Sequence, residues 1–195
     1  MKNLSNYKVI GKKVLFRADL NVPVLNGVIT DTSRILAIKS SLQTLIKDKN
    51  KIFILAHFGR PKGEVIEKYS LQFIISSLAE ILEVDKIHFL KTLHEENISK
   101  KIHEMKSGEV CLVENIRFEK GEEKIDWDFA KNVSSLFDVY VNDAFSASHR
   151  KPYINYRFCK IYTSCCWKSL NQRNRKHKQI FRKFQKTKFS YCWRL

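Results

Sequence analysis

At 195 residues the chain is long enough for one domain of ordinary size, or one domain and a fragment. Its formal charge of +16 would by itself point to nucleic acid or an anionic membrane surface. The charge is unevenly placed, however: residues 151–195 hold 13 of the 36 Lys and Arg and none of the 20 Asp and Glu, which leaves residues 1–150 a net +3. A generally basic, polyanion-coating surface is therefore excluded for the first 150 residues. All six glycines also lie there, at Gly11, Gly27, Gly59, Gly63, Gly108 and Gly121, while four of the five cysteines (Cys159, Cys165, Cys166 and Cys192) lie beyond. An odd cysteine count without a secretory signal points to a reducing compartment, so a cytoplasmic location is expected. No apolar run reaches the roughly 18–20 residues that span a bilayer, and no membrane partner is expected.

In chain order, short apolar runs alternate with helical periodicity. KKVLFRADL (12–20), KIFILAHF (51–58), KIHFL (86–90), EVCLVEN (109–115) and DVYVNDAF (138–145) each predict a buried strand. Between them, segments 32–50, 70–83, 93–106 and 126–137 predict helices. Ile35, Ile38, Leu42, Leu45 and Ile46 recur at helical spacing in the first, as do Ile74, Ile75, Leu78, Ile81 and Leu82 in the second. Ser70 is placed to cap the second helix, and Asp126 or Asp128 to favour the start of the fourth. Alternation of this kind predicts right-handed βαβ units: an α/β fold with a doubly wound, mostly parallel sheet.

Polar residues collect just after the apolar runs of four of the five predicted strands. Asp19 and Asn21 follow the first and His57 and Arg60 the second. Glu114, Asn115 and Arg117 follow the fourth, and Asn142, Asp143, His149 and Arg150 the fifth. In an open α/β sheet ligands bind beyond the carboxyl ends of the strands, and guanidinium groups suit carboxylates and phosphates. Four of the five predicted strands ending this way predict a site for a small, strongly anionic metabolite. Other polar residues read as structural. Arg17, inside a strand, is expected to pair with an acidic neighbour; His88, His94 and His103 fall on strand or helix surfaces; Glu122 and Glu123 form a solvated loop cluster. No Cys/His zinc spacing and no Walker-type phosphate loop is present, and no metal site is expected.

The motifs RADLNVP (17–23), ITDTSRI (29–35), AHFGRPKG (56–63), EKYSL (67–71), LVENIRF (112–118) and VNDAFSASHR (141–150) stand in one order at consistent spacings. Over residues 7–150 the chain resembles the N-terminal, substrate-binding domain of phosphoglycerate kinase. The resemblance implies a two-domain α/β enzyme that moves a phosphoryl group between 1,3-bisphosphoglycerate and Mg-ADP, giving Mg-ATP and 3-phosphoglycerate. It implies that Asp19, Leu20 and Asn21 hold the glycerate part of the substrate and that Arg34 reaches the transferring phosphoryl group. His57, Phe58, Gly59 and Arg60 are implied as ligands of the substrate's anionic groups, with Gly59 admitting a close backbone approach; Arg117 and Arg150 complete the basic patch. It also implies a monomer. Nucleotide-binding residues are expected to lie outside this chain.

After Arg150 the family pattern stops within one residue. Residues 151–195 therefore predict a second, non-homologous region, an irregular basic tail behind an incomplete domain of residues 1–150. Read one nucleotide later, permitted codons from Pro152 to Lys168 spell HISIIGFAKFIPAAAG, and those from Gln172 to Leu195 spell KEIENISKYLENSKKPNFRIVGG. The first restores the family's continuation and the second its acidic residues and a terminal Gly-Gly. The tail is accordingly expected to be a frame-shifted readout, and the chain to be an inactive, truncated kinase. Two other functions fit the composition. One is a nucleic-acid binder that uses the basic, aromatic-rich tail (Tyr153, Trp167, Phe181, Trp193); the other is a free-standing binder of phosphoglycerate.

Overall fold

The computed structural model describes residues 8–119 and 127–144, together with the strand at 165–167. Five strands form a parallel sheet, β1 (Lys13–Arg17), β4 (Lys51–Leu55), β5 (Ile87–Leu90), β6 (Val110–Val113) and β7 (Val139–Asn142), joined by a short sixth, β8 (Cys165–Trp167). Their order across the sheet is β5-β6-β4-β1-β7-β8. The hairpin β2 (Val24–Leu25) and β3 (Val28–Ile29) stands apart from it. The helices are α1 (Ser33–Lys47), α2 (Ile75–Leu82), α3 (Glu95–Glu104) and α4 (Trp127–Ser135).

Alternation along each strand builds two cores. Val14, Phe16, Ile52, Ile54, Val110, Leu112, Val139 and Val141 face Ile35, Ile38, Leu42 and Leu45 of α1 and Leu78 and Leu82 of α2. Leu15, Phe53, Leu55, Cys111, Val113 and Tyr140 face Ile98 next to Met105 on α3, and Val133 next to Phe137 at the end of α4. The handedness rule explains which helix covers which face. From β1 through β4 to β5 the chain steps one way across the sheet; from β5 through β6 to β7 it steps back. Right-handed crossovers then place α1 and α2 on one face, α3 and α4 on the other. The strands run continuously apolar because both faces are covered.

The structure shifts the sequence-based elements at three places. The second predicted helix opens as two 3₁₀ turns, Glu67–Tyr69 and Gln72–Ile74, before α2 begins at Ile75. Ser70 therefore does not cap α2: its hydroxyl donates to Glu114 Oε2 (2.7 Å) and accepts from the Gln72 amide (3.2 Å). The β2–β3 hairpin has no counterpart among the predicted elements; Asn26 and Gly27 turn it with φ of 50° and 79°, the pair of positive angles a type I′ turn needs. The third is β8, inside the segment read as irregular. Cys165, Cys166 and Trp167 there pair with β7, which would otherwise end the sheet with an open ladder. Asp126, the side chain of Asp128, and Glu122 and Glu123 lie outside the described residues.

Candidate functional site

The loops after β4 and β6 lead to helices on opposite faces, which makes the carboxyl ends of these two adjacent strands the point at which open α/β sheets bind ligands. Four strand ends meet around it, and backbone bonds carry the ladder past the strands themselves. The Ala18 amide donates to the Leu55 carbonyl (2.9 Å), Ile116 to Ala56 (3.2 Å) and Asp143 to Arg17 (2.9 Å).

Arg34 stands in the first turn of α1, a turn without an acidic residue. A cation there opposes the helix dipole, so its position calls for another reason. The reason visible in the structure is Asp19, whose carboxylate accepts from the Arg34 guanidinium. Asp31 supplies the negative charge that the helix start lacks, accepting from the Ser33 amide (2.7 Å) and hydroxyl (2.9 Å), bonds that hold its pKa below the usual value. The loop after β4 is tied on both sides. The Gly59 amide donates to Asn21 Oδ1 (3.1 Å), and the Gly59 carbonyl accepts from the Arg117 guanidinium.

His57 lies among these charges. Burial, followed by the positive charges of Arg17 and Arg117, pushes its pKa down to about 3; Asp19 opposes the shift, and Arg34 adds to it. The imidazole is neutral at physiological pH, and its buried Nδ1 has no hydrogen-bond partner among the described residues. The arrangement is thus a cluster of guanidinium groups, backbone and amide donors and one neutral ring. Such donors hold the oxygens of an anion; they do not suit Mg²⁺. Among the described residues no group of three or more His, Cys, Asp or Glu is placed to hold a metal ion.

Of the residues singled out from sequence, the structure brings Asp19, Asn21, Arg34, His57, Gly59 and Arg117 together. Leu20 has a fully buried side chain, so only its backbone can face a ligand. Phe58 packs its ring at 5.1 Å from Phe73 and 6.4 Å from Tyr69, and it too has only its backbone to offer. Gly59 has φ +60°, and an added Cβ would lie 2.4 Å from the Tyr69 ring. Its small size is thus required by an intramolecular contact as well as by the turn. Arg60 is exposed at the end of the loop. Arg150 and His149 lie outside the described residues. Of the histidines read as structural, His88 Nε2 meets Glu109 Oε2 at 2.9 Å, His103 Nδ1 meets the Ser99 carbonyl at 2.7 Å, and His94 precedes α3 in extended conformation without capping it through its side chain.

Two residues matter more than the sequence suggests. Arg17 is 1% exposed, and its charge is the largest single-residue influence on His57. Its place at the end of an apolar run, next to Asp19, was the available signal. Asn115 is also 1% exposed and links the β4 and β6 loops; its neighbour Glu114 binds the Ser70 hydroxyl, and its other oxygen accepts from the Leu71 (2.7 Å) and Asn115 (2.8 Å) amides.

The profile of the family described as Phosphoglycerate kinase matches residues 4–189. The chain belongs to the phosphoglycerate kinase family. The phosphoglycerate kinase of Rhizobium meliloti is 46% identical over 142 residues, covering 73% of this chain and 35% of its own length. That of Cereibacter sphaeroides is 44% identical over 149 residues, covering 76% and 38%. The chain thus spans a little over a third of these relatives. Among solved structures, phosphoglycerate kinase from Coxiella burnetii superposes with a TM-score of 0.75 at 28% identity, covering 94% of this chain and 43% of that one. The enzyme from Pyrococcus horikoshii gives 0.76 at 27% identity, with 95% and 45% covered. Among the described residues no helix is long and apolar enough to cross a membrane.

Proposed function

We propose that the carboxyl end of this sheet is the phosphoglycerate-binding half of a phosphoglycerate kinase site, holding 3-phosphoglycerate or 1,3-bisphosphoglycerate. The observation that carries this reading is the gathering of Arg17, Arg34 and Arg117 around a His57 that burial, reinforced by their positive charge, keeps neutral. Asp19, Leu20 and Asn21 are assigned to the glycerate moiety, Leu20 through its backbone. Phe58, Gly59 and Arg60 serve the ligand's anionic groups with Arg117 and Arg150, and neutral His57 exchanges a hydrogen bond with it. Arg34 is placed for the transferring phosphoryl group, where a fixed positive charge offsets the charge on the equatorial oxygens in the transition state. Its bond to Asp19 holds the guanidinium in place before the ligand arrives.

The co-substrate, Mg-ATP or Mg-ADP, binds outside the described residues. Phosphoryl transfer requires both substrates in line with water excluded, so the half-site described by residues 8–144 is not by itself sufficient for it. Residues 151–195 are read as a frame-shifted segment with no selected role in binding nucleic acid, and the protein as a cytoplasmic monomer. Resequencing the gene across codon 151 tests the first of these. ATP formation from 1,3-bisphosphoglycerate and ADP by the purified chain would contradict that insufficiency.

Binding is tested by calorimetric titration of the chain with 3-phosphoglycerate. One saturable site is expected, weakened by salt and weakened about 10-fold or more in Arg34→Ala, as loss of a charge-assisted hydrogen bond implies. A folded chain that takes up no heat and shows no saturation would overturn the assignment.

A further inference from the structure

The loop that carries His57, Gly59 and Arg60 and the turn that carries Arg117 come from different strands, yet their spacing fixes the shape of the anion patch. One side chain sets it. Asn115 Oδ1 accepts from the amides of Phe58 (3.2 Å) and Arg117 (3.2 Å), while its Nδ2 donates to the carbonyls of Phe58 (2.7 Å) and Tyr69 (2.9 Å). A carboxamide has two donor hydrogens and an oxygen that accepts two bonds, and all four are used. No other side chain provides that set at that length: Asp has no donors, Leu has neither donors nor acceptors, and Gln reaches too far.

We infer that Asn115 is a positioning residue, acting through the backbone of Phe58, Tyr69 and Arg117 to hold the His57–Arg60 loop at a fixed distance from Arg117. The inference rests on the proposed anion site for its functional meaning, though not for its geometry. Three further bonds make the mechanism specific. The Arg117 guanidinium donates to the Gly59 carbonyl, the Gly59 amide donates to Asn21, and the Gly63 amide donates to the Arg117 carbonyl (3.1 Å). The Phe58–Gly59 segment is thus fixed by Asn115 and, one residue on, by groups that the site itself uses. Without Asn115 both loops keep their covalent connections to the sheet while their relative position relaxes. A shift of about 1 Å is enough to cost a preorganised polar site much of its affinity.

The molecule carries its own control. Asn50 is equally buried and makes three side-chain hydrogen bonds to backbone where Asn115 makes four, but at the opposite end of the sheet. Asn115→Leu and Asn50→Leu in the full chain remove comparable hydrogen bonds while nearly preserving volume. Each variant is titrated with 3-phosphoglycerate well below its own Tm, and amide hydrogen exchange is followed by NMR. The expected result is that both lower Tm. Asn50→Leu keeps its affinity within about twofold, and Asn115→Leu loses about tenfold or more. Exchange at Phe58, Gly59 and Arg117 quickens only in the Asn115 variant, beyond its drop in global stability.

If Asn115→Leu does not fold, Asn115→Ser, which keeps an acceptor and loses the amide donors, replaces it. Equal affinity in the two variants, with no selective exchange at Phe58 and Arg117, would overturn the inference. Should the unsubstituted chain fail to bind 3-phosphoglycerate, the anion-site reading falls, and the exchange comparison alone decides whether Asn115 positions the loops.

Discussion

At the amino end of the sheet, Asn50 is as buried as the leucines around it, and its amide is spent entirely on the chain. Its Oδ1 accepts from the Lys12 amide (2.9 Å), and its Nδ2 donates to the carbonyls of Val9 (2.8 Å) and Leu45 (2.9 Å), joining the end of α1 to the entry of β1. Beside it, Asp138 accepts from the Lys13 amide (2.8 Å) and returns its own amide to the Lys13 carbonyl (2.8 Å). At the carboxyl end the use of polar groups is different. Around His57 the cations Arg17, Arg34 and Arg117 face the single carboxylate of Asp19, burial and then their charge keep the ring neutral, and His57 Nδ1 and Asn142 Nδ2 are buried without hydrogen-bond partners among the described residues. Crowded like charges and unpaired polar atoms cost stability, whereas the Asn50 arrangement provides it. A sheet that completes its hydrogen bonding at one end and leaves capacity at the other identifies where a ligand is meant to contribute.

Substitutions at the two ends should differ in what they cost. The largest effect is expected from Asn50→Ala, which strands two buried carbonyls and an amide; a loss of about 3 kcal/mol in chemical denaturation, with no change in anion affinity, is the expected outcome. Gly59→Ala ranks next. It forces a side chain into left-handed backbone and against the Tyr69 ring, at a cost of about 2 kcal/mol. Part of this is recovered in the Gly59→Ala, Tyr69→Leu double variant, again read by denaturation.

A smaller effect follows from the neutral His57. Its folded pKa of about 3 lies below the unfolded value of 6.5, so above pH 6.5 both states are neutral and the full contribution is present. As pH falls from 6.5 toward 3 the unfolded state gains a proton that the folded state does not, and stability declines by about 1 kcal/mol per pH unit from this residue. Denaturation curves at pH 7 and pH 5 measure it, and His57→Leu should flatten the difference. The smallest effect belongs to neither end: Lys39→Ala, which breaks the exposed pair with Glu83 (2.6 Å), should leave Tm unchanged within error.

Much of this architecture was legible in the sequence because its strands are continuous apolar runs and its helices repeat apolar residues at helical spacing. The runs around Val14–Phe16 and Ile52–Leu55 predict strands, and those strands are observed, though which of their residues face which core was not legible in an all-apolar run. Strand order was not legible, since register between distant segments leaves no local trace. The β2–β3 hairpin was missed although Asn26-Gly27 is a strong turn signal, because two-residue strands are too short to show alternation. Within the site, residue types in the loops marked Asp19, Asn21, Arg34, His57 and Arg117. What could not be read was the division of labour. Leu20 and Phe58 turn out to anchor their loops in apolar surroundings, and Asn115, one polar residue among several after β6, becomes the bridge between loops. Such roles depend on contacts across 57 residues of chain, as in the bond from the Phe58 amide to Asn115.

The most direct test of the account is a map of backbone amide shifts in the full chain as 3-phosphoglycerate is added. The account requires changes confined to the carboxyl end, at Asn21, Phe58, Gly59, Arg60 and Arg117, with Lys12, Lys13, Asn50 and Asp138 unmoved. Shifts spread equally over both ends, or confined to the amino end, would contradict it.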